Sequence, residues 1–142
     1  MNLFICLFTL CTFINEVDTN EDFMAISNVA MKFAKSADNR NTVELESIMH
    51  SEFRAIVNQA MGSKEMQLID KSTYLDLIRK EVIGGDQREV HILSIDMENN
   101  NAVVKVKLIR KQLHFYSFMQ LVKEANGHWK LISDLPNIVK QN

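Results

Sequence analysis

The side chains best suited to proton transfer in this sequence are His50, Tyr74, His114, Tyr116 and Asp134. A buried aspartate or histidine can act as a base, because loss of water moves its pKa towards neutrality. His114 and Tyr116 share one strand face with Phe118, a face that lines either a cavity or an interface between copies. Tyr74 falls on the apolar side of a predicted helix, where it either packs or turns its hydroxyl inward. Asp134 ends the last predicted strand, as an exposed acid or as a carboxylate reaching a pocket mouth. His50 closes the predicted second helix, where the helix dipole alone favours a histidine. His91 falls with Leu93 and Ile95 and reads as structural, and Trp129 reads as packing. No catalytic role is assigned to any of these residues from sequence.

Metal and cofactor chemistry find little footing. The four histidines are scattered, without a His-x-His or His-Glu-x-x-His spacing. Cys6 and Cys11 both lie in the leading apolar stretch, which leaves the rest of the chain without a thiol. Gly84-Gly85 follows a predicted helix instead of opening one, so it is no phosphate loop. No cofactor is expected.

The elements that must position these side chains follow from periodicity. Phe23, Ile26, Ala30, Phe33, Ala34 and Ala37 recur at helical spacing, predicting a first helix over 21–37 with Thr19 and Asn20 as caps. Asp38 to Asn41 break it. Asn41 and Glu44 are spaced as a capping box for a short helix carrying Leu45, Ile48 and Met49 and ending near His50. Phe53, Ala55 and Val57 alternate as a strand, and Met66 to Ile69 form a short one. A third helix starts around Asp70 to Ser72, carries Tyr74, Leu75, Ile78 and Val82, and is stopped by Gly84-Gly85. Four strands follow over 88–97, 102–110, 113–124 and 129–134, with Asn126-Gly127 as the strongest hairpin signal and Pro136 beyond the last strand. Helices first and a meander afterwards give an α+β architecture with an antiparallel sheet.

Composition agrees with one domain. The 142 residues are 46% hydrophobic and 24% charged, as in an ordinary globular chain. A net charge of -2 speaks against a nucleic-acid partner, and Lys105 and Lys107 read as a solvated strand face. Leu3 to Ile14 is apolar, long enough for the core of an export signal and too short for a stable membrane span. No Lys or Arg precedes it, no small-x-small cleavage site follows, and Phe8-Thr9-Leu10 before Cys11 makes a poor lipoprotein signal. An exported protein is expected, with an apolar extension from a misplaced start as the other reading. Residues 1–19 are therefore set apart from a domain over 20–142. In the third long strand, Phe115, Met119 and Leu121 occupy one face while Tyr116, Phe118 and Val122 occupy the other. Helices cover only one side of a sheet, so a homodimer through the sheet is expected to cover the second.

The element order resembles the nuclear transport factor 2-like superfamily over about Glu21 to Pro136. Ser47-Ile48-Met49-His50-Ser51-Glu52-Phe53 is similar to its "L-x-H-P-D-F" passage, with Ser51-Glu52 standing where Pro-Asp is common. Ser72-Thr73-Tyr74-Leu75-Asp76-Leu77-Ile78 is similar to its third-helix pattern. Phe118 to Lys123 followed by Gly127-His128-Trp129-Lys130-Leu131-Ile132 is similar to its closing hairpin. Within the superfamily the chain resembles the branch labelled putative lumazine-binding, often seen as small bacterial proteins. The resemblance implies a cone of three helices on a curved antiparallel sheet, whose open end is a natural small-molecule pocket. Family enzymes such as ketosteroid isomerases, scytalone dehydratase and polyketide cyclases place acids, histidines and tyrosines there, and this chain matches none of their sets position by position.

Two functions follow. One is a non-catalytic, dimeric module binding a small apolar or cyclic ligand. The other is a cofactor-independent isomerase, dehydratase or cyclase, with His50, His114, Tyr116 and Asp134 as its acid–base groups. A nuclear adaptor role, the third possibility raised by the resemblance, conflicts with export.

Overall fold

The computed structural model describes residues 16–60, 63–111 and 113–140, so the expectations made for residues 1–15 lie outside it. The apolar stripe of the first helix is realised as α1 (Glu16–Asp38), which begins earlier than expected, with Thr19 and Asn20 inside it and not capping it. Its buried face is Ile26, Val29, Ala30, Phe33, Ala34 and Ala37. After a tight turn, α2 (Thr42–Ile48) starts at Asn41, whose side chain accepts from the Glu44 amide at 3.1 Å. Only half of the capping box forms. The Glu44 carboxylate turns away to accept from the Ser36 hydroxyl, and the Asn41 amide donates to Ser36 O.

β1 (Met49–Asn58) follows α2 without a loop, so His50 is a strand residue and not a helix terminus. β2 (Met66–Asp70) pairs antiparallel with β1 and runs into α3 (Lys71–Arg79), capped by Asp70 accepting from the Thr73 amide at 2.8 Å. α3 stops short of the glycine pair. Glu81 takes a left-handed conformation, and the Glu81 and Val82 amides donate to Ile78 O and Leu77 O, the pattern of a Schellman motif. Val82 is therefore outside the helix and exposed. Gly84 serves a different purpose: a Cβ there would stand 2.4 Å from the Ala37 carbonyl oxygen, so it lets the chain pass against the end of α1.

The meander is β3 (Glu89–Glu98), β4 (Asn101–Arg110), β5 (Leu113–Lys123) and β6 (Trp129–Lys140). The sheet order is β2-β1-β6-β5-β4-β3. Every pairing is antiparallel, as expected, except that of β1 with β6, which is parallel and makes the sheet mixed. The β5–β6 turn is closed by the Gly127 amide donating to Glu124 O, and of the Asn-Gly pair only Gly127 has positive φ. A left-handed residue after a short turn is the other common hairpin solution. β6 also runs on through Pro136, which was expected beyond the strand. From there outward β6 pairs with β5 alone, an edge where a missing amide is tolerated.

The helices lie on one face of the sheet, over Phe53 and Ala55 of β1, Ala102, Val104, Val106 and Leu108 of β4, Met119 and Leu121 of β5, and Trp129 and Leu131 of β6. Phe33, Phe53 and Tyr74 pack as an aromatic trio with ring centroids 5.5 to 5.8 Å apart. Burying each such side chain contributes about 1.5–3 kcal/mol, so this layer is the main source of stability. Bulges on β3 and β6 reset which residues face it. Leu93 is extra on β3, so Ile92 and Ile95 both face the core while His91 faces away and pairs with Glu89 at 2.9 Å. Ile132 is extra on β6.

Candidate active site in the cone

Strict alternation from Trp129 and Leu131 would turn Ser133 inward and Asp134 outward. The Ile132 bulge reverses this, because Leu131 pairs with Leu121 while Ser133 pairs with Gln120 and Asp134 with Met119. Asp134 thus stands on the helix-facing side of the sheet and is buried. Its Oδ1 accepts from the Ser117 hydroxyl, which lies diagonally across on β5 and is itself fully enclosed. Burial pushes the Asp134 carboxyl up from 3.8 to about 6, against the lowering effects of the Ser117 hydrogen bond and of nearby Arg88.

Asp134 is the floor of a cavity of about 580 Å³ at the open end of the cone. Its walls are mostly apolar, with Ala55, Val57, Ile69, Ile83, Phe115 and Ile138 among them. A smaller recess of about 50 Å³ adjoins it, and Tyr74, Arg88, Phe115, Asp134 and Pro136 line both. Tyr74 arrives from α3, and burial with the nearby Asp134 charge pushes its hydroxyl above the usual phenol range. Arg88, just before β3, reaches the same place with its guanidinium 5.6 Å from the Phe115 ring centre. Its charge is already engaged: Nε donates to Asp38 Oδ1 at 2.6 Å and its backbone amide to Asp38 Oδ2 at 3.2 Å. At the rim Arg110 Nη1 meets Asp86 Oδ1 at 2.6 Å.

Of the five candidates, the fold brings together Tyr74 and Asp134. His50 sits at the other end of β1 from Ala55, beyond an irregularity in its pairing with β6. There its Nδ1 accepts from the Glu52 amide and its Nε2 lies 4.0 Å from Glu124. His114 and Tyr116 alternate with Phe115 and so lie on the opposite side of the sheet from the cavity. Tyr116 is approached by Lys105 and Lys107 at 6.0 and 5.8 Å, and His114 Nδ1 is buried without a partner among the described residues. The four-member acid–base set expected for an enzyme is therefore dispersed, because β-strand alternation separates His114 and Tyr116 from Asp134.

Sequence reasoning missed Asp38, Arg88 and Ser117. Asp38 had a signal: an acid at a helix C-terminus opposes the dipole and needs a cation nearby. Ser117 had one too, as the lone polar residue on the inward series Phe115, Ser117, Met119, Leu121. Among the described residues no three His, Cys, Asp or Glu side chains converge as metal ligands, and no helix is long and apolar enough to cross a membrane.

No curated protein matches this sequence. Solved structures do. A nuclear transport factor 2-like protein of unknown function from Shewanella baltica superposes with a TM-score of 0.73 at 15% identity, covering 86% of this chain and 97% of its own. One from Silicibacter pomeroyi gives 0.72 at 14%, covering 85% and 98%. A ketosteroid isomerase-like protein from Erwinia carotovora atroseptica gives 0.68 at 12%, also covering 85% and 98%. At such identities these likenesses speak for the fold alone, a cone of helices on an open sheet. The profile of the family described as putative lumazine-binding matches residues 20–135, most of the chain, and the chain therefore belongs to that family, with the fold of the nuclear transport factor 2-like proteins.

Proposed function

We propose that this protein is a binding module that takes a small, largely apolar cyclic ligand into the cone, and that it acts as a homodimer joined through the outer sheet face. The observation that carries the ligand reading is Asp134, buried at the floor of an apolar cavity of about 580 Å³ beside Tyr74, with one carboxyl oxygen engaged by Ser117. A cavity of this size with a few convergent polar groups suits a ring system that presents one polar atom inward. The family description and the ketosteroid isomerase-like neighbour support a ring-shaped ligand in kind. Dimerisation draws support from the outer face, where Val103, Phe118 and Leu135 are 41%, 42% and 39% exposed. Lys105 and Lys107 stand on that face near Asp96 and Glu98, so a two-fold related copy could set opposite charges together.

A small-ring fragment screen by protein-observed NMR tests the ligand reading. Hits should shift the Tyr74, Phe115 and Ile138 resonances, and Ala55→Trp, which fills the cavity, should abolish them. A screen whose hits all map elsewhere would end it.

The burial of Asp134 favours a second reading as an acid–base catalyst, because it pushes the carboxyl up to about 6, near where a general base works best. Its check is Asp134-dependent deuterium exchange at the α-carbon of a bound cyclic ketone.

A further inference from the structure

The sheet has two edges, β2 and β3, and they differ. β3 is guarded, since the extra residue Leu93 breaks its pleat and Glu89, Asp96 and Glu98 line it with acids. β2 has no such protection. It pairs with β1 in unbroken register, carries no charge before Asp70, and leaves Met66 and Leu68 59% and 63% exposed. Its Ile69 pairs with Ala55 on the core side, so Met66, Leu68 and Asp70 stand together on the outer side. The Gln59 amide donates to Glu65 O at 3.4 Å, which sets the phase of the ladder. Gln67 and Ile69 therefore bond to β1, whereas Met66 and Leu68 turn their N–H and C=O groups to the open edge. A short apolar strand with a free row of donors and acceptors is a template for one more strand.

We infer that β2 pairs antiparallel with β2 of a second copy, about a two-fold axis at Gln67, joining two sheets into one. In that register the sequence is complementary to itself. Met66 lies opposite Leu68 of the second copy and Leu68 opposite its Met66, with main-chain bonds exchanged at both pairs. Lys64, two residues ahead of the strand, falls opposite the second copy's Asp70, and Asp70 opposite its Lys64. Asp70 has an oxygen to offer, because Ser72 and Thr73 both donate to Oδ1. Pairing about Leu68 would set Met66 against the acid instead, and parallel in-register pairing would stack the acid on itself. An unrelated extended peptide would satisfy the main chain but not these matched side chains, so the occupant is a second copy. The contact is separate from the cone and from the sheet-face dimer. Two five-residue strands bury less than about 1,200 Å², so the pairing forms well above micromolar concentration.

Sedimentation of Phe118→Asp, which removes the sheet-face contact, isolates the edge. This variant should dimerise with a Kd of about 0.1–1 mM. Adding Leu68→Lys should raise that Kd at least about fivefold, and adding Lys64→Glu, which faces Asp70 with a like charge, about threefold. Both side chains are exposed, so neither change should disturb the fold. In NMR the amides of Met66 and Leu68 should shift with concentration more than those of Gln67 and Ile69. Should Phe118→Asp fold poorly, the parent serves, passing from dimer to tetramer over the same range. A parent that is monomeric at micromolar concentration and forms Leu68-dependent dimers above it would sink the face contact and support the edge. No association up to about 1 mM, or association that Leu68→Lys leaves unchanged, overturns the pairing. So does a chain that stays monomeric while the heptapeptide Thr-Val-Thr-Val-Thr-Val-Thr shifts the β2 amides, which would give the edge to an extended peptide.

Discussion

Ser117 Oγ donates to Asp134 Oδ1 from the neighbouring strand, so the carboxylate is held by one oxygen and turned towards the cavity by the other. Ser117 is paired with Pro136 and Asp134 with Met119, which makes the contact a diagonal one across β5 and β6. Neither residue would meet the other on strands of unbroken register.

Stability should fall as pH rises through the range set by Asp134. Its folded pKa of about 6 lies above the ordinary 3.8, so the folded state binds more protons than the unfolded one in that interval. The loss begins near pH 4 and is complete a little above pH 6, amounting to about 3 kcal/mol. Asp22 and Asp70 act in the opposite sense, since hydrogen bonds lower their pKa values, and their effect lies below about pH 4. Urea unfolding at pH 4.5 and 7.5 measures the difference. Asp134→Asn should remove most of it, and an unchanged pH dependence in that variant would contradict the assignment.

Breaking the buried pair of Arg88 and Asp38 should be severe. With side chains 15% and 1% exposed, loss of either partner leaves the other charge stranded. Arg88→Met should cost about 3–5 kcal/mol in urea unfolding, and the double variant Arg88→Met with Asp38→Leu should recover much of that. Equal losses in single and double variants would mean that packing, not charge, governs the site.

Gly84→Ala and Gly127→Ala separate steric from conformational cost. Both glycines have positive φ, but a Cβ at Gly84 would stand 2.4 Å from a backbone oxygen, whereas at Gly127 nothing lies within 4 Å. Gly127→Ala should lose about 1 kcal/mol from conformation alone. Gly84→Ala should lose clearly more by the same assay, and a smaller loss there would show that the loop can move away from α1.

Phe118→Asp tests the dimer. In sedimentation at micromolar concentration the parent should run as a dimer, and the variant should dissociate with a Kd at least about tenfold higher. Its thermal midpoint as a monomer should change little, since Phe118 is already 42% exposed within one chain. A parent that sediments as a clean monomer would sink the interface.

Element types and most boundaries were legible in the chain because they depend on neighbours three or four residues away. The stripe from Ile26 to Ala37, the Asn41 cap and the alternation from Ala102 to Leu108 each act within one element. The resemblance of the 47–53 passage and the closing hairpin led to the same fold. Terminations were less readable: α3 ends at Arg79, closed by Glu81 in a left-handed conformation ahead of the glycines expected to stop it.

Tertiary structure alone decided which polar residues meet. The single extra residue Ile132 turns Asp134 inward, and a one-residue change of register reverses every later side chain on a strand. That register is set by pairing with β5, whose own order sends Ser117 into the cone and His114 and Tyr116 away from it. Arg88 finds Asp38 across fifty residues because the glycine passage at Gly84 lays the loop against the end of α1. Local periodicity determines what each segment becomes, whereas the site depends on contacts whose energies are realised only once distant segments have packed.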